Sequence, residues 1–170
     1  STTGSGQGIL LKATDGIVIG VGSGLNVQTN NGNITLWADS DGNSLGNIRV
    51  RENVTFNSAN GLTNQASGGG TITLAGGSST DNNGLPSGYA YSASTNTTAW
   101  GTNAPSAVQL GAFTKDHGGG TYTNEIKFYS GGGNVAIRGK SANGAPGISW
   151  YGGSAGGTQV IDAGAGTILL

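Results

Sequence analysis

The chain has 170 residues, among them 35 Gly, 17 Asn, 17 Ser and 19 Thr; only 9% are charged, and Met and Cys are absent. The scarcity of Glu and Lys excludes a helical bundle or a doubly wound α/β domain, and glycine without a three-residue period, beside three prolines, excludes collagen. Seven basic residues against eight acidic give a net charge of −1 with no basic run, which excludes a phosphate-tracking nucleic-acid surface, and no apolar run approaches a membrane span.

Short strands are predicted from the first residues onward. Gly8-Ile9-Leu10-Leu11 and Gly16-Ile17-Val18-Ile19 are short β-branched and aliphatic runs, and Leu25 to Thr29 and Gly32-Asn33-Ile34-Thr35-Leu36 alternate with the period of a strand that buries one face. Their starts at Ile9, Ile17, Leu25 and Ile34 lie about eight residues apart, too close for a helix between them. Gly46-Asn47-Ile48-Arg49-Val50, Val54 to Asn57 and Gly70-Thr71-Ile72-Thr73-Leu74 continue the series. After a break it resumes at Val108 to Phe113, Glu125 to Tyr129 and Gly133-Asn134-Val135-Ala136-Ile137. Gly147-Ile148-Ser149-Trp150, Val160 to Asp162 and Gly166-Thr167-Ile168-Leu169-Leu170 end it. Each Gly-led phrase is introduced or followed by Gly, Asn or Asp, which tolerate the left-handed backbone that a sharp turn needs.

The reuse of one phrase (Gly, a small polar residue, Ile or Val, any residue, an aliphatic) points to stacked equivalents. The expected fold is all-β: a single-stranded parallel β-helix, or β-solenoid, right-handed, with residues 1–170 forming one segment of a longer fibre. A solenoid period of roughly twenty residues per turn predicts about seven turns and a rod on the order of 35 Å long. The stretch from Ser78 to Ala107 loses the alternation and carries Asp81-Asn82-Asn83-Gly84, Pro86 and Pro105. It is expected to be a loop or hairpin insertion on the side of the rod, with Tyr89, Tyr91 and Trp100 as contact residues. The final strand, Ile168 to Leu170, predicts an unpaired edge, and the start at Ser1 predicts an internal or processed segment.

Candidate chemistry is sparse. His117 is the single histidine and sits in a glycine-rich turn with no nucleophile elbow, so a Ser-His-Asp triad and a multi-histidine metal site are not expected. Asp39, Asp41 and Asn43 alternate like the opening of a calcium loop, but glycine stands at the fourth position and Val50 at the twelfth. Backbone turn chemistry explains the same residues. Arg138-Gly139-Lys140 matches one element of sugar-cleaving β-helices, but the paired carboxylates such cleavage uses are missing, and an exposed strand-end pair is the expectation. Trp37, Trp150 and Tyr151 would serve either core packing or stacking on a sugar. Of the sequons beginning at Asn33, Asn53 and Asn96, Asn96 is the candidate glycan acceptor.

Gly32-Asn33-Ile34-Thr35-Leu36-Trp37-Ala38-Asp39-Ser40-Asp41, Gly69-Gly70-Thr71-Ile72-Thr73-Leu74, Gly133-Asn134-Val135-Ala136-Ile137-Arg138-Gly139-Lys140 and Ile161-Asp162-Ala163-Gly164-Ala165-Gly166-Thr167-Ile168 carry a further signal. Together these segments resemble the shaft of filamentous-haemagglutinin-like adhesins, the large bacterial exoproteins exported by two-partner secretion. The likeness covers most of the chain outside 78–107 and does not include that family's N-terminal secretion domain. It implies an extracellular or cell-surface bacterial filament used in adhesion, aggregation or biofilm building. The family brings no catalytic residues.

The expected function is therefore a non-enzymatic structural and adhesive repeat without a cofactor. Its expected partners are copies of itself or neighbouring repeats stacked end to end, and host or matrix carbohydrate, with no nucleic acid and no membrane insertion. The alternative is a carbohydrate-binding or carbohydrate-degrading β-helix of tail-spike or pectinase type. An ice-binding face ranks last, because only Thr71-x-Thr73 and Thr121-x-Thr123 supply the required ranks.

Overall fold

A computed structural model describes residues 4–20, 24–92, 106–112, 121–142, 145–153 and 155–170. These residues form strands and turns and no helix. The expected early starts hold, as β1 (Ile9–Lys12), β2 (Ile17–Ile19), β3 (Leu25–Gln28) and β4 (Ile34–Ala38). Then come β5 (Ile48–Val50), β6 (Val54–Asn57), β7 (Ile72–Thr80), β8 (Pro86–Gly88) and β9 (Ala90–Ser92). The remainder are β10 (Val108–Leu110), β11 (Ile126–Tyr129), β12 (Val135–Ile137), β13 (Gly139–Ser141), β14 (Ile148–Trp150), β15 (Gln159–Asp162) and β16 (Ile168–Leu169).

The chain visits three parallel sheets in a fixed order. The first stacks β1, β4, β7, β12 and β16; the second β2, β5, β10 and β14; the third β3, β6, β11 and β15. All three enclose one apolar core, and equivalent residues lie on one another in register. Ile9, Ile34, Ile72, Val135 and Ile168 make one ladder of the first sheet. In the third, Phe56 lies on Phe128 with ring centroids 5.0 Å apart and planes 7° from parallel, and Trp150 of the second sheet meets Phe128 edge-on at 6.3 Å. Register places like on like, which is why one phrase serves repeatedly.

Two further ladders explain the residues in front of the strands. Gly32, Gly70, Gly133 and Gly166 stack on one another, and a Cβ at any of the last three would come within 3.0 Å of backbone atoms of the glycine before it. Only glycine permits that approach. In the next position, Asn33 Oδ1 accepts the Thr71 N–H at 2.9 Å and Asn134 Oδ1 accepts the Thr167 N–H at 2.9 Å, tying successive circuits together. At the corner before each of the first three glycines, a hydroxyl donates to the glycine carbonyl. Thr29 reaches Gly32 O and Ser58 reaches Gly70 O, both at 2.6 Å, and Ser130 reaches Gly133 O. The equivalent residue in the next circuit is Ala163, which has no hydroxyl to donate.

Three expectations need correction. The circuits are uneven, running from Ile9 to Ile34, Ile72, Val135 and Ile168. Four full circuits and the opening of a fifth replace the seven expected, and five strands at the interstrand spacing make a stack of roughly 20 Å. Gly46-Asn47-Ile48 leads into the second sheet through β5, although its wording matches first-sheet phrases. The 78–107 stretch is only partly an insertion. β7 runs on past the sheet edge and pairs antiparallel with β8 as a hairpin, whereas β9 returns to parallel pairing with β13 in a small two-stranded sheet. Ser106 and Ala107 are buried at the entry to β10. Residues 93–105, with Asn96 and Trp100, and residues 113–120, with His117, lie outside the described residues.

Candidate functional site

The hairpin makes a groove. At Gly76 and Gly77 the extended β7 leaves the first sheet, Gly77 with a φ of 80° that suits glycine. The tip at Asp81 to Leu85 is closed by backbone bonds from Asp81 N–H to Leu85 O (2.9 Å) and Gly84 N–H to Asp81 O (3.0 Å). Asp81 Oδ1 also accepts the N–H groups of Asn83 (2.8 Å) and Leu85 (2.9 Å). Two side chains latch the hairpin: Trp37 Nε1 donates to Gly77 O at 2.8 Å, and Arg138 Nη1 donates to Ser87 O at 2.7 Å. Between the tip and the outer face of the first sheet lies a groove of about 360 Å³. Its floor is the ladder Thr73, Ala136 and Leu169 with Thr71, Asn134 and Thr167 beside it, and Leu85 and Pro86 form a wall.

A second, more open trough of about 460 Å³ crosses the outer face of the third sheet. Part of its polar lining is bonded within the protein. Asn26 donates to Gln28 Oε1 at 3.0 Å, Asn57 Oδ1 accepts the Ala59 N–H at 2.9 Å, and Lys127 Nζ donates to Glu125 at 2.8 Å. The Glu125 carboxylate holds the Lys127 ammonium above its ordinary 10.5, but both groups are solvated and such a pair adds little stability.

The ends of the stack form a third surface. Residues that point into the core elsewhere are uncovered there: Leu11 is 41% and Leu25 42% exposed beside the first circuit, and Ile168 is 46% and Leu170 66% exposed beside the last. Among the described residues, the outer edges of β1 and β16 pair with no further strand.

The residues singled out from sequence divide among these surfaces. Asp39 Oδ1 accepts the Ser44 N–H at 2.9 Å and the Leu45 N–H at 3.3 Å, and Asp41 Oδ2 accepts from Asn43 Nδ2 at 2.7 Å. The calcium candidates thus come together as the staple of one turn. Burial, assisted by the nearby Asp41 charge, pushes the Asp39 carboxyl above its ordinary 3.8, against the lowering effect of its N–H donors. No group of three or more His, Asp or Glu suited to a metal occurs among the described residues. Tyr89 is exposed beside Arg138, Ile137 and Leu170, at the end of the stack and not on a lateral loop, while Tyr91 pairs with Lys140 across β9 and β13. Trp37 is committed to packing, with Lys12 Nζ 3.9 Å over its ring. Trp150 faces the core. Arg138 is the hairpin latch and not the exposed strand-end residue expected, although Lys140 is exposed.

The groove itself was not anticipated. Its one legible sign was the Asp81-Asn82-Asn83-Gly84 turn, because the floor is assembled from residues as distant as Thr73 and Leu169. Compared with protein families, with curated proteins and with solved structures, the chain matches none.

Proposed function

We propose that this chain is a right-handed parallel β-helix and serves as a structural and adhesive shaft segment of an extracellular bacterial filament or giant surface adhesin. It stacks end to end with copies of itself or with neighbouring repeats. The observation that carries the reading is the stack of in-register ladders around one apolar core, in which each circuit pairs with and covers the one before it. Further circuits, from copies or from neighbouring repeats, would continue the hydrogen-bond ladders and bury more apolar area. The right-handed sense follows the hand that parallel crossover connections adopt. The resemblance of the Gly-Asn-Ile and Gly-Thr-Ile phrases to haemagglutinin-like exoproteins supports the bacterial surface assignment. The mechanism is mechanical, because continuous backbone ladders resist bending while the hairpin and corner turns stay available for contact.

Electron microscopy of the native material tests it. Long, uniform fibres of one stack's width are expected, with an axial contribution of roughly 20 Å from each segment of five strand layers. Discrete globular particles in that material would overturn it.

A further inference from the structure

The groove beside the β7–β8 hairpin holds hydrogen-bonding capacity that the described residues do not use. Among them, the hydroxyls of Thr71, Thr73 and Thr167 and the side-chain amide of Asn83 bond to no protein group. Asn134 commits its oxygen to Thr167 N–H and leaves its Nδ2 group unpaired, and Arg138 spends one N–H on Ser87 while a guanidinium has five to give. Asp81 uses one carboxylate oxygen for its turn and leaves the other. The third-sheet trough also carries polar side chains, but Leu25 is the one large apolar side chain in its lining, and its one charged group, Glu125, is bonded to Lys127.

The apolar part of the groove is equally specific. Leu85 and Pro86 form one wall, and Ala136 and Leu169 lie along the floor between the hydroxyls. Donors, acceptors and small apolar strips therefore alternate over a few ångströms. Ligand sites of this volume combine an apolar lining with a few convergent polar groups. The formal charges of the lining are one carboxylate, Asp81, and one guanidinium, Arg138, and they balance. A phosphate or a polyanion would need an excess of cations. A peptide added as a strand would need a free backbone edge, but β7 is already paired with β4, β12 and β8. The remaining chemistry is an uncharged molecule dense in hydroxyls with C–H faces between them.

We propose that this groove binds a short neutral saccharide, with the hairpin tip and the threonine hydroxyls of the floor contacting its hydroxyls and Leu85, Pro86 and Leu169 its C–H faces. The site stands on the groove alone and does not depend on the shaft reading.

The test is a ¹H–¹⁵N NMR titration of the 170-residue chain. The probes are a panel of neutral hexose, deoxyhexose and N-acetylhexosamine disaccharides, with inorganic phosphate and a sulfated disaccharide as anionic comparisons. Saturating shifts at Thr73, Asn83, Ala136 and Thr167 with at least one neutral probe are expected. Thr73→Val and Asn83→Ala should each weaken that binding about three- to tenfold, the value of one lost hydrogen bond. Thr55→Val in the third-sheet trough should leave it unchanged. No saturating response to any neutral probe, a response confined to the trough or the stack ends, binding of the anionic probes alone, or groove variants that bind like the parent would each overturn the proposal. Because fibre formation is read by microscopy, either proposal can fail without the other.

Discussion

The glycine ladder gives the sharpest stability prediction. An alanine at position 70 would place its Cβ within 3.0 Å of Gly32 O, Gly32 C and Asn33 N, all backbone atoms of the preceding circuit. Ordinary contact begins at 3.4 Å, so circuits two and three would have to separate locally. The adjoining Ile34 N–H to Thr71 O bond, 2.9 Å long, resists that separation. Overpacking against a surround that cannot yield costs about 3 kcal/mol. The lower entropy of an unfolded chain carrying alanine returns about 0.4–1 kcal/mol. The net loss of about 2 kcal/mol corresponds to a midpoint about 4–8 °C lower for a domain of this length. Gly152→Ala is the control, because nothing lies within 4 Å of its added Cβ and its φ is not in the left-handed region. Thermal unfolding followed by circular dichroism reads both variants. Equal midpoints for Gly70→Ala and Gly152→Ala would refute close stacking of the circuits as the reason for glycine at position 70.

Other positions give independent checks. Ser58→Ala strands the buried Gly70 carbonyl and should cost about 1–3 kcal/mol in urea denaturation, whereas the exposed-face change Thr55→Val should stay within about 0.5 kcal/mol. Phe128→Ala removes the ring stacked on Phe56 and edge-on to Trp150 and should cost about 3–5 kcal/mol, seen as a lower urea midpoint. Asp39→Asn bears on pH. The folded state raises the Asp39 pKa, so it binds the proton more tightly than the unfolded chain. That contribution is fully present below the unfolded value and is lost as pH rises through the folded value. Asparagine keeps the oxygen that accepts from Ser44 and Leu45 but does not titrate. The variant should therefore lose a fall in stability that the parent shows just above pH 3.8, and identical pH profiles would refute the assignment.

How much of this was legible depended on how local the cause is. Ile9, Ile17, Leu25 and Ile34 are legible as strand starts because side-chain pattern and a preceding turn residue act within a few positions. The sheet each strand joins is a non-local property. Gly46-Asn47-Ile48 and Gly32-Asn33-Ile34 read alike, yet they enter different sheets, because one follows the corner after β4 and the other the corner after β3. The corner hydroxyls of Thr29, Ser58 and Ser130 were invisible among the chain's many Ser and Thr, since only the fold buries them. Strand β13, Gly139–Ser141, has no apolar alternation and exists because β9 offers it an edge. The sequence leaves Trp37 open to packing or ligand contact, and the hairpin decides for packing, since Gly77 O takes its indole N–H. For the groove, the turn at Asp81 was readable, but the floor required knowing that Thr73, Ala136 and Leu169 share one register.

The uneven circuits and the strict ladders have one cause. Lengthening a corner adds only loop-closure entropy, about 0.6 kcal/mol per doubling of loop length. Adding one residue inside a strand would turn Ile72 or Phe128 from the core to solvent and carry every later residue of that strand with it. Variation is therefore confined to corners, as between β4 and β5 or between β7 and β10, while Ile9, Ile34, Ile72, Val135 and Ile168 remain aligned. The same division separates the two proposed roles. The shaft depends on the ladders, which tolerate almost no change, and ligand contact depends on a hairpin that the ladders hold through Trp37 and Arg138 but do not require. It follows that removing the hairpin tip between Ser79 and Ser87 should abolish saccharide binding yet leave the strand register, and with it any fibre, intact. A loss of register on that deletion would show that the hairpin is part of the stack and not an addition to it.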